Sequence, residues 1–331
     1  MNTDRPILGI LLMLGFCILA PVGDAVAKLL GQSVPLGEVV FIRFAVQVLI
    51  LIPIIYVSGR KWRMRGRVLR LTLLRTVLHI VGIAAMFTAL RYLPLADAVA
   101  IVFVMPFIML LLGKYVLSEE VGIRRLAACT VGFIGTLLVV QPSFSEVGWP
   151  ALLPVFVAVN LSFFMLITRQ IAKETDPIGL QAVSGAMAIA MMLPILWIGA
   201  SFDITVQNIA RIQSFDWGLL LAIGVLGTLA HLLMTWSLRF APSATLAPMQ
   251  YLEIPFATLL GFVIFQDLPN TMASLGIAIT MAAGIYVVMR ERATAMLAKH
   301  SRTTPVQRPP VANVARSATY PVRPSTTQPL R

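Results

Sequence analysis

The sequence predicts an all-α polytopic membrane protein of ten transmembrane helices, arranged as two inverted repeats of five helices each. Three observations lead to this prediction. The 331 residues are 58% hydrophobic and only 12% charged, whereas soluble globular proteins carry about 25% charged residues. The apolar residues gather into ten long runs, and motifs of the first half of the chain recur in the second half.

The ten apolar runs are long enough to cross a bilayer, which takes about 20 residues as a helix. In lipid, runs of this length indicate helices, because helices satisfy their own backbone hydrogen bonds. The first run follows Arg5 as a signal peptide would, but it contains Asp24 and Lys28 and lacks a clear cleavage site, so we expect a retained helix. The predicted runs cover residues 7–30, 36–57, 71–91, 95–117, 124–141, 150–168, 178–200, 217–238, 243–265 and 271–289.

Basic residues between the runs predict the orientation of the chain. The stretch SGRKWRMRGRVLR (58–70) holds six of them, while 32–35 and 266–270 hold none. Because basic loops remain in the cytoplasm, we expect both termini to be cytoplasmic. The net charge of +12 therefore marks orientation and does not predict nucleic-acid binding. The tail, 291–331, is rich in Pro and Arg and is expected to be disordered, either solvated or attracted to anionic headgroups.

The internal repeat appears in ALRYLPLADAVA (89–100) and SLRFAPSATLAP (237–248), which share Leu-Arg-aromatic-x-Pro-x-Ala at an offset of 148 residues. A Pro-Phe pair recurs at an offset of 149 residues, and His79 and His231 are 152 residues apart. We therefore predict two units, 7–141 and 150–290. Five helices are an odd number, so the second unit enters the membrane inverted. Inverted repeats are typical of secondary transporters. The alternative is an old duplication in a membrane enzyme or scaffold.

Several motifs together resemble the EamA-domain branch of the drug/metabolite transporter superfamily. They are DAVAKLL followed by Pro35 and FIRF, then LRYLPLADA and VMPF, and the second copy LRFAPSATLAPMQYLEIPF. The resemblance covers residues 7–290 and implies transport of a small organic solute across the bacterial inner membrane without ATP hydrolysis. One departure is that the second copy has no clear equivalent of Lys28 and Arg43 beyond Arg169.

Within this branch, the sequence is most similar to bacterial riboflavin transporters and S-adenosylmethionine uptake transporters. Riboflavin uptake is the first expectation, and the resemblance alone implies it; riboflavin is flat, neutral and hydroxyl-rich, which suits aromatic and hydrogen-bonding residues. S-adenosylmethionine or an amino-acid-like solute is the alternative, because its cation would suit Asp24, Glu253 or Asp97 and its carboxylate Arg43. Export of amino acids or drugs is a further form of the transporter hypothesis. A membrane enzyme or scaffold is a distant alternative.

Charged residues within the predicted helices are candidates for substrate binding, because each costs about 2.5–3.5 kcal/mol to insert. Asp24 and Lys28 are spaced i,i+4 and are predicted to pair, as helix packing or at the mouth of a cavity. Arg43 lies about two turns into the second helix. Arg75 and Lys114 are expected to extend to the lipid headgroups.

Glu253 lies between Pro248 and Pro255 and corresponds to Met105 or Val104 of the first copy, so the repeat unit does not require an acid there. Each proline removes a backbone donor, which predicts a kinked helix that faces a cavity. The acid would bind substrate or a proton, or pair with Arg43, His231 or a backbone group. The complete set of candidate substrate-binding residues is Glu253, Arg43, Asp24, Lys28, Tyr251, Trp236, His79 and His231.

No nucleotide-binding, nucleophile-elbow or HExxH motif appears, so we expect no enzyme, no catalytic residue, no cofactor and no metal. The expected partners are the small-molecule substrate and the lipid bilayer. Small residues spaced by four, 128–132–136 and 276–280–284, predict close helix contacts, either within the chain or in a homodimer.

Overall fold

A computed structural model describes residues 5–60, 62–118, 122–201, 213–283, 285, 286 and 289, and this part of the chain contains helices and no strand. The predicted tail, 291–331, lies outside the described residues. The α-helices are α1 (Pro6–Leu30), α2 (Leu36–Ser58), α3 (Gly66–Ala89), α4 (Leu95–Val102), α5 (Met105–Val116), α6 (Ile123–Val147), α7 (Leu153–Ile171), α8 (Pro177–Ser201), α9 (Ser214–Phe240), α10 (Ser243–Leu246), α11 (Glu253–Leu260) and α12 (Thr271–Ala283).

The helices confirm the predicted all-α, multi-pass membrane fold. By length and composition, seven helical stretches of the described chain can cross a bilayer: 6–30, 36–58, 66–89, 95–116, 149–171, 177–198 and 214–240. Three shorter apolar stretches, 126–138, 249–265 and 271–283, lie where the other three spans were predicted. Large apolar side chains on the outside, such as Val57 and Trp197, suit contact with lipid.

The two copies run in opposite directions, and two equivalent arginines make this visible. Arg91 donates to the carbonyl of Val34 at 3.3 Å, which places the 90–94 hairpin beside the 31–35 loop. Its counterpart Arg239 donates to the carbonyl of Thr175 at 3.1 Å, in the loop between α7 and α8. That loop lies beside the 59–65 loop, since Arg60 pairs with Asp176 at 2.9 Å. We call the two ends of the molecule the 31–35 end and the 59–65 end.

Helices of the first copy pack on helices of the second: α1 on α9, α2 on α8, and α3 on α7. Small residues allow this close approach. A Cβ at Gly9 of α1 would lie 2.6 Å from the Cβ of Ala241, while Ser237 of α9 donates to the Gly9 carbonyl at 2.7 Å. The hydrophobic core is therefore shared between the copies.

The predicted stripes of small residues are used within the chain. Gly132 of α6 lies against the ring of Tyr251, and a Cβ at Gly135 would lie 2.7 Å from the carbonyl oxygen of Gly276 in α12. These contacts join α6 to α12 and to the stretch between α10 and α11. The homodimer stays a prediction.

The fourth and ninth apolar runs are both broken near their middles. The first copy breaks at Phe103 and Val104, between α4 and α5. In the second copy a 3₁₀ segment, Ala247–Leu252, separates α10 from α11, and a π-helical turn, Gly261–Phe265, follows α11. Pro106 and Pro255 each fall in the first turn after the break, where the missing N–H costs no helical hydrogen bond. The break predicted around Glu253 is thus present.

Labelling of single cysteines tests the predicted orientation. Ser33→Cys and Ser58→Cys are matched, exposed positions at the two ends, and the native Cys17 and Cys129 are buried. In intact cells, a membrane-impermeant maleimide should label Ser33→Cys and spare Ser58→Cys until the membrane is opened. Labelling in the reverse order would place the termini outside. The wild-type chain supplies the background.

Candidate functional site

A cavity lies at the centre of the described bundle, between α1, α2, α3, α4, α7, α9 and α11. Its volume is about 120 Å³, below the roughly 300–1,000 Å³ of pockets that hold drug-sized ligands. A ligand of that size would therefore require the helices to move apart. The polar residues in its wall are Asp24, Arg43, His79, Asn160, His231 and Glu253, five of which are among the eight predicted site residues.

Two carboxylates meet in this cavity without a partner. Asp24 lies on α1 and Glu253 is the first residue of α11, and the two are close enough to interact electrostatically. Neither has a hydrogen bond or an ion pair within 4.0 Å among the described residues. Glu253 directly follows the 3₁₀ segment, and its backbone N–H donates to the carbonyls of Gln250 and Tyr251. Pairing of Glu253 with Arg43 or His231, one of the alternatives drawn from the sequence, is not observed.

Arg43 is the cation of the cavity, and its side chain is only 6% exposed. It interacts electrostatically with Asp24, and its buried Nη1 has no hydrogen-bond partner in the described chain. Gly227 of α9 leaves room for the guanidinium, since a Cβ there would lie 2.5 Å from Nε. The position of Arg43 thus depends on a glycine of the other copy.

The two predicted histidines touch each other. His79 of α3 and His231 of α9 approach with their Nε2 atoms 3.2 Å apart. In a hydrogen bond between two imidazole nitrogens, one must donate and the other accept. Phe44 and Phe164 pack on the His79 ring, with centroids at 5.1 and 4.8 Å. One histidine from each copy therefore contributes to this wall of the cavity.

Lys28 is not in the cavity, and its predicted pairing with Asp24 is wrong. Its Nζ lies 2.9 Å from Asp267 Oδ2, 3.3 Å from the carbonyl oxygen of Leu93 and 4.7 Å from the ring centre of Phe265. The reason is depth. Lys28 lies near the end of α1, where the loop after α11 supplies a carboxylate, whereas Asp24 lies one turn deeper and faces the cavity.

Tyr251 and Trp236 are also outside the cavity wall. Tyr251 is fully buried, with its ring 5.5 Å from that of Phe103 and its hydroxyl 3.4 Å from the carbonyl oxygen of Cys129. Trp236 packs beside a separate cluster that includes Leu51 and Leu232. Both residues serve packing in this conformation.

The position predicted for Arg75 is also wrong. Arg75 does not reach the headgroups, because it is fully buried. Its guanidinium donates to three neutral acceptors: Thr168 Oγ1 at 2.8 Å, Ser184 Oγ at 2.8 Å and Gln181 Oε1 at 2.7 Å. It also lies 4.4 Å from the ring centre of Phe164. Arg75 thereby ties α3 to α7 and α8, one turn from His79 on the 59–65 side of the cavity.

The error at Arg75 has a simple cause. The third helix was expected to begin at residue 71, which would place Arg75 in the first turn. The helix begins at Gly66, so Arg75 lies nine residues, or about 13 Å, along it. Asn160 was missed as well; it lines the cavity from α7, and a lone amide in an apolar helix was its only signal.

Among the described residues, no group of three or more His, Cys, Asp or Glu side chains could hold a metal ion. The six polar cavity residues are instead dispersed over six helices. The arrangement is suited to holding a ligand by charge and hydrogen bonds at several points.

Comparison with known proteins gives one family match, to the EamA-like transporter family, over residues 7–141 and 148–290. A riboflavin transporter of Brucella anthropi is 23% identical over 80% of this chain and 92% of its own length. An S-adenosylmethionine uptake transporter of Rickettsia prowazekii is 22% identical over 86% of this chain and 92% of its own. A pseudopaline exporter of Pseudomonas aeruginosa is 25% identical over 85% of this chain and 93% of its own length.

A solved crystal structure is also similar, with a TM-score of 0.64 and 15% sequence identity. The match covers 87% of this chain and 98% of the other. At this level of identity the likeness supports the fold alone.

Replacing Arg75 by lysine should destabilise the chain. Lysine keeps the charge but cannot reach three acceptors in different directions, and hydrogen bonds to a charged group are each worth about 1.5–3 kcal/mol. We expect the free energy of unfolding to fall by about 2–4 kcal/mol, measured as a lower Tm of the purified protein in detergent. Arg70→Lys, exposed on the same helix, should leave the Tm unchanged. Equal Tm values for both variants would contradict the structural role of Arg75.

Proposed function

Because the chain belongs to the EamA-like transporter family, as the match over both halves shows, we propose that it is a secondary transporter for a metabolite that carries both a cationic and an anionic group. The family identification made from the sequence motifs is thereby confirmed, and the chain is a small-molecule transporter embedded in the membrane. The bacterial inner membrane is the proposed location, with both termini in the cytoplasm. Its relatives are transporters, which favours a role other than catalysis.

The observation that carries this proposal is the set of charges in the cavity. Asp24 and Glu253 lie there without a hydrogen bond or ion pair among the described residues, and Arg43 has an unused donor. Charges removed from water are costly unless they are paired. A substrate with an ammonium or sulfonium group would supply the partner of the two acids, and its carboxylate would suit Arg43. An amino-acid-like solute such as S-adenosylmethionine fits this description.

Riboflavin is the second candidate, and the aromatic wall of the cavity favours it. Phe16, Phe87 and Phe164 line the cavity, and aromatic rings stack on a flat heterocycle. One of the similar proteins is named a riboflavin transporter. A neutral substrate, however, leaves Glu253 without a counter-charge and Asp24 with Arg43 alone.

Counterflow in proteoliposomes distinguishes the two candidates and does not depend on the direction of transport. Vesicles loaded with unlabelled S-adenosylmethionine or riboflavin are diluted into a trace of the same compound in labelled form. We expect accumulation of label with S-adenosylmethionine and none with riboflavin. Accumulation of labelled riboflavin but not of S-adenosylmethionine would make riboflavin the favoured substrate. Accumulation of neither compound would overturn both candidates. Protein-free vesicles loaded in the same way provide the background.

Glu253→Gln keeps the shape of the side chain and removes its charge. Since a hydrogen bond to a charged group is worth about 1.5–3 kcal/mol, we expect exchange of a cationic substrate to weaken by about 10–100-fold. The matched control is Glu146→Gln, an exposed acid on α6, which should exchange at the wild-type rate. If Glu253→Gln exchanges substrate at the wild-type rate, the charge of Glu253 has no role in substrate binding.

Gly227→Ala tests the placement of Arg43. The new methyl group would lie 2.5 Å from Nε, so the guanidinium must move. We expect the KM for an anionic or zwitterionic substrate to rise by about tenfold, the effect of about 1.4 kcal/mol. Gly218→Ala, on the same helix with no atom within 4 Å, is the control. An unchanged KM for Gly227→Ala would show that Arg43 does not contact the substrate.

A further inference from the structure

We propose that the 59–65 end carries a binding site for one anionic phospholipid, whose phosphate lies at Arg63 and Arg65 and one of whose acyl chains lies in a groove between α2 and α8. The site is separate from the central cavity. It joins two recesses of different character that share one segment of the chain, 52–65.

The first recess is polar and basic, with a volume of about 550 Å³. Its charged walls are Arg60, Arg63, Arg65, Lys173, Glu174, Asp176 and Arg239. The two acids are already used, because Asp176 pairs with Arg60 and Glu174 pairs with Arg67, each at 2.9 Å. Arg63 and Arg65 have no acidic partner within 4.0 Å among the described residues. The recess therefore has an excess of positive charge, which suits a phosphate group.

The second recess is an apolar groove of about 260 Å³ on the outside of the bundle. One wall is formed by Ile52, Ile55, Tyr56 and Trp62 and the other by Ala182, Val183, Ala186 and Met187. Ala182 and Ala186 are one helical turn apart on α8, and their short side chains leave the groove open. In a membrane this surface meets lipid, so an acyl chain is the apolar group available to fill it.

The two recesses meet at Trp62, which lines the groove and lies against the neighbouring Arg63, 5.8 Å from ring centre to guanidinium carbon. Tryptophan and tyrosine favour the boundary between lipid tails and headgroups. Basic pockets at the cytoplasmic side of membrane helices bind acidic headgroups. A ligand that fills both recesses has an anionic head and an aliphatic tail. The chain's own tail, residues 301–331, contains five arginines and no acid, so it does not match a basic recess.

Native mass spectrometry of the purified full-length chain tests the site, with phosphatidylglycerol and phosphatidylcholine of equal chain length as probes. We expect a single phosphatidylglycerol adduct and weaker binding of phosphatidylcholine. Two basic residues near a lipid surface are worth about 1 kcal/mol each, so Arg63→Gln with Arg65→Gln should weaken phosphatidylglycerol binding by about thirtyfold. Arg70→Gln with Arg124→Gln, two exposed arginines outside the recess, should bind as the wild type does.

A second pair of variants separates the lipid from a free anion. Ala182→Leu with Ala186→Leu fills the groove and should weaken phosphatidylglycerol binding while the arginines remain. Glycerol phosphate, which has no acyl chain, should bind weakly to every variant. The proposal fails if the groove variants keep full phosphatidylglycerol binding, if glycerol phosphate binds as tightly as the lipid, or if the two phospholipids bind equally. Wild-type Tm values for both double variants show that they are folded.

Discussion

The hydrogen bonds of Arg75 join α3 to α7 and α8 on the 59–65 side of the central cavity, and the packing of these three helices depends on them. The guanidinium is fully buried, and three neutral oxygens from α7 and α8 accept its hydrogen bonds. A helix of the first copy is thereby fixed to two helices of the second. One turn further along α3, His79 lines the cavity. The same helix therefore contributes to the contact between the copies and to the wall of the cavity.

Buried polar groups fall into two classes in this molecule. The network around Arg75 gives the guanidinium three neutral acceptors and contains no acid, so it rigidifies the packing of three helices. The cavity residues, by contrast, are incompletely paired: Asp24 interacts with Arg43 from beyond 4.0 Å, Glu253 has only the like charge of Asp24 near it, and Arg43 has a free donor. A low-dielectric cavity makes such unpaired groups costly. The residues of the first class stabilise the fold, and those of the second class are available to a ligand.

Hydropathy and the internal repeat were sufficient to predict the helical fold and the inversion, because both follow from the period and the number of apolar runs. They also led to five of the six polar cavity residues, since a charge or a histidine in an apolar run is conspicuous. Contacts between distant segments were not predictable. Lys28 pairs with Asp267, 239 positions away, and no local pattern indicates that choice. Arg75 was misplaced because the first turns of α3 contain basic residues, so the apolar run that predicts this helix begins later than the helix itself.

The contact between His79 and His231 crosses the boundary between the two copies, because α3 belongs to the first copy and α9 to the second. The two Nε2 atoms lie 3.2 Å apart. Alternating access in such proteins is largely one repeat rocking against the other. A motion of this kind must either carry the two rings together or separate them, so the distance between the histidines reports how the copies move at the level of the cavity.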